Sequence, residues 1–252
     1  MVNVLTSADY NVTKVALRRS DQKIACQFCA VSAREYPALA AQRSHLLSEA
    51  ELAYFEGLPV RRRQMSYLLG RVAAKTALAS LIAEDDYRAI AITAGIFGQP
   101  LVRHWKAVGY DVSISHNREA AVAIAFDSGH PMGIDLETFD VSLYETLLNA
   151  IPAEEASCLP NRHAASPDRL LVLWTVKEAL SKVLRCGMMT PAAVLAIKSL
   201  TPIGLGQYQA VFRNFAQYQA RSWVCNSTVL SIVLPLSTEI EFEPFQLVNR
   251  QG

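Results

Sequence analysis

The stretch DRLLVLWTVKEALSKVLR, residues 168–185, decides the fold class. Leu173, Val176, Leu180, Val183 and Leu184 share one arc of a helical wheel, which makes that arc a core face. Glu178, Lys182 and Arg185 cluster on the opposite arc, near Trp174 and Ser181. Upstream, MGIDLETFD at 132–140 reads as a strand. Alternation puts Asp135 and Glu137 on one face of it, roughly 6–7 Å apart along the chain. Two neighbouring carboxylates repel unless a cation sits between them. The helix and the strand therefore pose one question together, which is what cation the acids hold.

Outward from these two segments the chain alternates helix and strand. Residues 22–31, QKIACQFCAV, read as a strand, and 47–56 as a short acidic helix. After Pro59, RRRQMSYLLGRVAAKTALASLIA has helical spacing of Leu68, Leu69, Val72, Ala73 and Leu78. Residues 88–103 look irregular, broken by Gly95, Gly98 and Pro100. YDVSISH (110–116) and AAVAIAF (120–126) flank the short polar link 117–119, which is a hairpin signal. DSGHP (127–131) is a turn cluster, and 141–158 reads as helical. GQYQAVFRNF, QARSWVC and TVLSIVLPL read as strands, and the last dozen residues as a tail. The expected fold is α/β, with one long helix and a set of strands in each half. The halves are 1–129 and 130–252, packed together with a groove between them.

Composition sets further bounds. The 252 residues are 51% hydrophobic and 19% charged, an ordinary globular balance. A formal net charge of +1 argues against generic nucleic-acid binding, which needs a basic stripe. MVNVLTSADYNV lacks the charged start and apolar run of a secretory signal, and no apolar stretch reaches the ~20 residues of a membrane span. Five scattered cysteines suggest free thiols in a reducing cytoplasm. Cys26 and Cys29 form a lone C-x-x-C with no second pair to complete a metal site, so they read as small residues on a strand.

Three carboxylates, Asp135, Glu137 and Glu178, are a natural ligand set for a hard cation such as magnesium. The plainer reading of Glu178 and Lys182 is an i,i+4 surface pair worth ~0.3–0.5 kcal/mol. Arg61, Arg62 and Arg63 open the first long helix, where positive charge opposes the helix dipole unless an anion is near. Arg71 and Lys75 follow on the same helix at i,i+4 spacing. Gly98-Gln99-Pro100 makes an exposed turn that lets a flat ring approach the main chain. Ser115-His116 ends a strand where donors can meet a phosphate.

Together these residues resemble the 4′-phosphopantetheinyl transferases, specifically the larger Sfp type. The resemblance is carried by Gly133-Ile134-Asp135-Leu136-Glu137 and by Trp174-Thr175-Val176-Lys177-Glu178-Ala179-Leu180-Ser181-Lys182. Gly70-Arg71-Val72-Ala73-Ala74-Lys75, Gly98-Gln99-Pro100 and Ser113-Ile114-Ser115-His116 stand upstream in the family's order. The match covers roughly residues 45–235.

The resemblance implies a pseudo-dimer of two α/β halves with the active site in the groove between them. It implies transfer of the phosphopantetheine arm of coenzyme A to a serine of an apo acyl or peptidyl carrier protein. The other product is adenosine 3′,5′-bisphosphate. Asp135, Glu137 and Glu178 would bind magnesium, or manganese in its place. Glu178 would be the general base and Lys182 would neutralise phosphate charge, with Lys177 at the edge of the site. Asp135, Glu178 and Lys182 are thus the expected catalytic set. Ser115, His116 and Arg61, Arg62 and Arg63 would meet the phosphates, and Gly98, Gln99 and Pro100 would frame the adenine. Gln99 departs from the family, where many relatives have lysine. The resemblance also suggests a cytoplasmic monomer serving secondary metabolism. The alternatives are a non-catalytic binder of coenzyme A or carrier, and a magnesium-dependent phosphohydrolase. The second lacks a phosphate-cradling glycine-rich loop or a nucleophile motif.

Overall fold

The computed structural model describes residues 11–152, 155, 158 and 166–245. The chain is a mixed α/β protein that divides into two compact units. The first comprises residues 1–130 with the segment from Glu239 onward, and the second comprises Pro131–Thr238.

In the first unit, strands β1 (Asn11–Lys14), β2 (Ala16–Arg19), β3 (Gln22–Ile24) and β4 (Cys26–Ser32) precede four helices. These are α1 (Tyr36–Ala41), α2 (Arg43–Leu46), α3 (Glu49–Glu56) and the long α4 (Arg61–Ile82). Strands β5 (Ala91–Ala94), β6 (Pro100–Arg103), β7 (Tyr110–His116) and β8 (Ala120–Asp127) follow. The main sheet has the order β1-β4-β8-β7, all antiparallel. In the second unit, β9 (Gly133–Thr138), α5 (Tyr144–Asn149) and α6 (Pro167–Leu184) precede β10 (Ile197–Gly204), β11 (Gln207–Phe212), β12 (Tyr218–Cys225) and β13 (Thr228–Pro235). Its antiparallel sheet has the order β10-β11-β12-β13-β9. Finally β14 (Glu239–Glu241) pairs with β2 in the first unit.

Both units therefore repeat one order: a strand, short helices, a long helix, then four strands, of which the last pairs with the first. The sequence shows no residue-level repeat because the apolar pattern of a core tolerates many substitutions of like volume. One polar device is nevertheless repeated. Lys75 of α4 puts its Nζ 2.5 Å from Glu51 Oε2, and the other oxygen of Glu51 accepts from the Ile92 N–H at 2.9 Å. Lys177 of α6 puts its Nζ 2.7 Å from Glu155 Oε2, and the other oxygen of Glu155 accepts from the Ile197 N–H at 2.8 Å. In each case a buried pair ties the long helix to the first strand of the following hairpin.

Local chemistry sets the ends of these elements. Ser48 and Glu51 form a reciprocal capping box that starts α3, with Ser48 N–H donating to Glu51 Oε2 at 2.9 Å. Ser166 accepts from the Arg169 N–H and Pro167 occupies the first helical position of α6. The long helices stop at residues in the left-handed region, Ala83 (φ 51°) and Arg185 (φ 55°). Leu68, Val72, Ala73 and Ala77 of α4 pack on the first sheet; Leu173, Val176 and Leu180 of α6 pack on the second. None of the helices among the described residues is long and apolar enough to cross a membrane.

Several sequence expectations need correction. Residues 88–103 are not irregular: β5 and β6 form a hairpin whose tip holds the breakers, with Gly98 at φ +78°. The strand expected at 22–31 is two strands, parted at Ala25. The expected helix at 141–158 shows a 3₁₀ turn and α5, which ends at Asn149, and residues 153, 154, 156 and 157 lie outside the described residues. The expected tail begins within β14, which belongs with the first unit. Cys26 and Cys29 are buried free thiols on β4, and burial pushes both up to about 12. Their odd spacing places them on opposite faces of the strand, so the pair cannot chelate.

Candidate active site

The acids sit where β9 passes under α6. Alternation sends Ile134 and Leu136 to one face of β9 and Gly133, Asp135 and Glu137 to the face that meets α6. Gly133 permits that meeting. A Cβ built there would stand 2.1 Å from the Ala179 carbonyl oxygen and 3.0 Å from Val183 Cγ2, so any larger residue must push the helix off the strand. The close approach brings α6 side chains onto the acids. Lys182 Nζ donates to Asp135 Oδ1 at 2.7 Å and to the Ile134 carbonyl at 2.8 Å. The structure thus places an internal cation, Lys182, beside Asp135.

Asp135 is buried, while Glu137 and Glu178 are half-buried. Burial pushes Glu137 up to about 7, with the charge on Asp135 adding to it; Lys182 opposes, and Glu178 adds further. Glu178 is pushed up to about 7 by burial and by Asp135, again against Lys182. The three carboxylates therefore feel one another across the strand–helix contact. Among the described residues, no three His, Cys, Asp or Glu side chains converge closely enough to hold a metal ion. The donor chemistry still suits a hard divalent cation. Three carboxylates are coupled across one strand–helix contact, and burial first and the charge on Asp135 second hold Glu137 and Glu178 up at about 7.

A pH dependence follows with a definite sign. Both glutamates have folded-state values near 7, above the ordinary 4.5, so the folded chain holds extra protons between those values. Their contribution to stability is full below about pH 4.5 and is lost as pH rises through about 7. We expect the urea midpoint of metal-free protein to fall from pH 5 to pH 7.5. The fall should shrink in Glu137→Gln and Glu178→Gln, which carry no charge to lose. An equal fall in both variants would assign the effect to other groups.

The remaining candidates separate. Lys177 does not stand at the edge of the site: it is 2% exposed and committed to Glu155. The turn between Lys177 and Glu178 sends the lysine into the core, about 100° away. Lys75 likewise leaves the basic face expected for it. Its Nζ donates to Glu51, to the Leu46 carbonyl and to the Tyr87 carbonyl, each at 2.5–2.9 Å. Arg71 turns to the Tyr67 ring, 4.5 Å from its centroid, and approaches Glu51 at 3.6 Å.

Arg61, Arg62 and Arg63 are exposed at the start of α4, with Arg61 over the Tyr36 ring at 5.9 Å. Gln99 folds back over the hairpin tip and accepts from the Phe97 N–H at 3.0 Å. Gly98 and Pro100 flank it at the start of β6. Ser115 is buried and His116 exposed at the end of β7. These phosphate- and adenine-side candidates all belong to the first unit, and the acids with Lys182 belong to the second. Trp174 is half-buried against the core of the second unit, a packing role. Sequence reasoning missed both buried glutamates. Glu51 was legible as the third residue after Ser48, a capping-box spacing. Glu155 carries no local pattern.

Among solved structures the chain is similar to a holo-(acyl-carrier-protein) synthase from Bacillus anthracis in complex with CoA (3′,5′-ADP). That likeness is 20% identity over 46% of this chain and 96% of that one, with a TM-score of 0.37. It is similar to holo-[acyl-carrier-protein] synthase from Neisseria meningitidis at 18% identity, over 46% of this chain and 97% of that one, with a TM-score of 0.35. For the holo-ACP-synthase from Plasmodium yoelii the figures are 19%, 46%, 96% and 0.34. No curated protein matches the chain. The family model of the 4′-phosphopantetheinyl transferase superfamily matches residues 131–233, the span that holds Gly133–Glu137 and Trp174–Lys182, and over that span the resemblance to this superfamily is borne out.

Proposed function

We propose that this protein transfers 4′-phosphopantetheine from coenzyme A to a serine of an apo acyl or peptidyl carrier protein, releasing adenosine 3′,5′-bisphosphate. The observation that carries the reading is the set Asp135, Glu137, Glu178 and Lys182, brought onto one strand–helix contact inside the span that matches the superfamily. Asp135, Glu137 and Glu178 would hold magnesium, or manganese, through carboxylate oxygens. When bound, that ion would neutralise charge on the pyrophosphate of coenzyme A.

The residues of the chain do the rest. Glu178 would take the proton of the carrier serine, directly or through water. The serine oxygen forms a bond to the phosphorus next to pantetheine. The bond from that phosphorus to the bridging oxygen breaks, and the oxygen leaves with its electron pair on adenosine 3′,5′-bisphosphate. Lys182 supplies positive charge beside Asp135. Arg61, Arg62, Arg63, Ser115 and His116 would bind phosphate, and Gly98, Gln99 and Pro100 the adenine. Lys177 has no part in binding, because its ammonium is spent on Glu155. The like order of elements in both units supports the larger, Sfp type, and with it a cytoplasmic monomer serving secondary metabolism.

The test is intact mass spectrometry of a panel of apo carrier proteins incubated with this protein, coenzyme A and magnesium. A gain of one phosphopantetheine unit, lost with EDTA, is the expected result. No gain on any carrier, with coenzyme A still bound, would favour a non-catalytic binder instead.

A further inference from the structure

A chain of buried hydroxyls crosses the second unit beneath the acids. Thr175 Oγ1 donates to the Val172 carbonyl at 3.2 Å and stands 2.7 Å from Ser231 Oγ, which stands 2.7 Å from Ser222 Oγ. A hydroxyl has one proton to give. Thr175 gives its proton to Val172, so Ser231 donates to Thr175 and Ser222 donates to Ser231. The chain runs in one direction, from β12 through β13 to α6, and all three side chains are buried.

Its middle member and its helix end define what it holds. Ser231 is directly opposite Asp135 in the β13–β9 register, so the two side chains share the face that meets α6. Thr175 lies three residues before Glu178, one turn away on the same helix. The chain therefore ties the strand position beside Asp135 to the helix turn beneath Glu178.

In the first unit α4 packs on β7 and β8 through Ala121, Ala123 and Ala125 of β8 and Val112 and Ile114 of β7, and its own buried hydroxyl, Thr76, meets Cys29 and Tyr87 instead. Burying hydroxyls where methyl groups suffice brings a desolvation cost that only satisfied bonding offsets. The Lys–Glu pairs occur in both units and serve the fold. The hydroxyl chain occurs beneath the acids of the second.

Resting on the proposed function, we infer that Thr175, Ser231 and Ser222 are positioning residues that set the height and rotation of α6 over β9, so that Glu178 and Asp135 can share one divalent cation. Metal sites depend on such supporting contacts, and their loss typically costs 10–100-fold in affinity.

The test is Mn²⁺ binding to the full chain, followed by electron paramagnetic resonance of the free ion, with the thermal unfolding midpoint measured alongside. The triple variant T175V/S222A/S231A removes every hydroxyl and leaves no orphaned partner, so its midpoint should stay near that of wild type. Its Mn²⁺ affinity should fall about tenfold or more. Thr175→Ser, which keeps the hydroxyl, should bind Mn²⁺ like wild type. A triple variant that binds Mn²⁺ as wild type does would overturn the inference and leave the proposed reaction standing. Wild-type protein that binds no Mn²⁺ would overturn the metal assignment and this inference together. If the triple variant does not fold, Ser222→Ala replaces it, since it removes only the terminal donor. Unchanged affinity in that variant, too, would overturn the inference.

Discussion

On the proposed function, Asp135→Ala is expected to bring carrier modification to background while the chain still folds. Asp135 is the buried member of the acid set, and its charge adds to burial in raising both Glu137 and Glu178. Removing it takes away one proposed ligand and the partner of Lys182 Nζ at 2.7 Å. Lys182 keeps the Ile134 carbonyl at 2.8 Å and is partly exposed, so water can meet the freed ammonium and the fold survives. Two measurements separate the consequences. Transfer, read by intact mass, should disappear at any magnesium concentration. The titrations of Glu137 and Glu178, read by carboxyl NMR, should move down from about 7, because a neighbouring negative charge is gone. Full transfer by this variant in magnesium would sink the metal assignment, whatever the titrations do.

Lys75→Met costs the first unit about 3–5 kcal/mol, the usual penalty for leaving one member of a buried ion pair without its partner. Lys75 is fully buried and its three protons go to Glu51 Oε2, the Leu46 carbonyl and the Tyr87 carbonyl. Burial pulls the lysine down and the charge on Glu51 pulls it back, so the pair stands or falls together. In the variant Glu51 remains at 3% exposure with its charge opposed only by Arg71 at 3.6 Å. Adding Glu51→Gln to Lys75→Met should recover part of the loss, because no buried carboxylate charge is then left, while the one acceptor oxygen of Gln serves only one of the Ser48 and Ile92 N–H groups. Urea unfolding of the three proteins measures this, and a single-variant loss below about 1 kcal/mol would mean that the pair is not what holds α4 to β5. Lys177→Met should behave alike in the second unit, through Glu155.

The second prediction turns on lysines whose roles could not be read from spacing alone. Lys75 and Lys177 sit in segments that resemble phosphate-binding motifs, and in each case the lysine ends in the core on a glutamate far off in sequence. The helical period puts a residue on a face, but it does not say which distant strand or helix will meet that face. Lys182, one turn beyond Glu178, was correctly placed with the acids for the opposite reason. Its face was already marked by Glu178 and Arg185, and its partner Asp135 was marked by strand alternation.

The sequence by itself determined the mixed α/β class, the two long helices, the β7–β8 hairpin, and the shared face of Asp135 and Glu137. Each of these follows from a local period or a local turn, which neighbouring residues are enough to express. It also placed Glu178 and Lys182 together, because they lie one helical turn apart. Tertiary structure alone decided that β14 returns to β2, that residues 91–103 form a hairpin, and that Gly133 lets α6 touch β9. It alone decided that the cation beside Asp135 is Lys182 and that Lys177 belongs to Glu155. Those outcomes depend on contacts between residues far apart in the chain, and a contact of that kind leaves no period in the sequence for either partner to show.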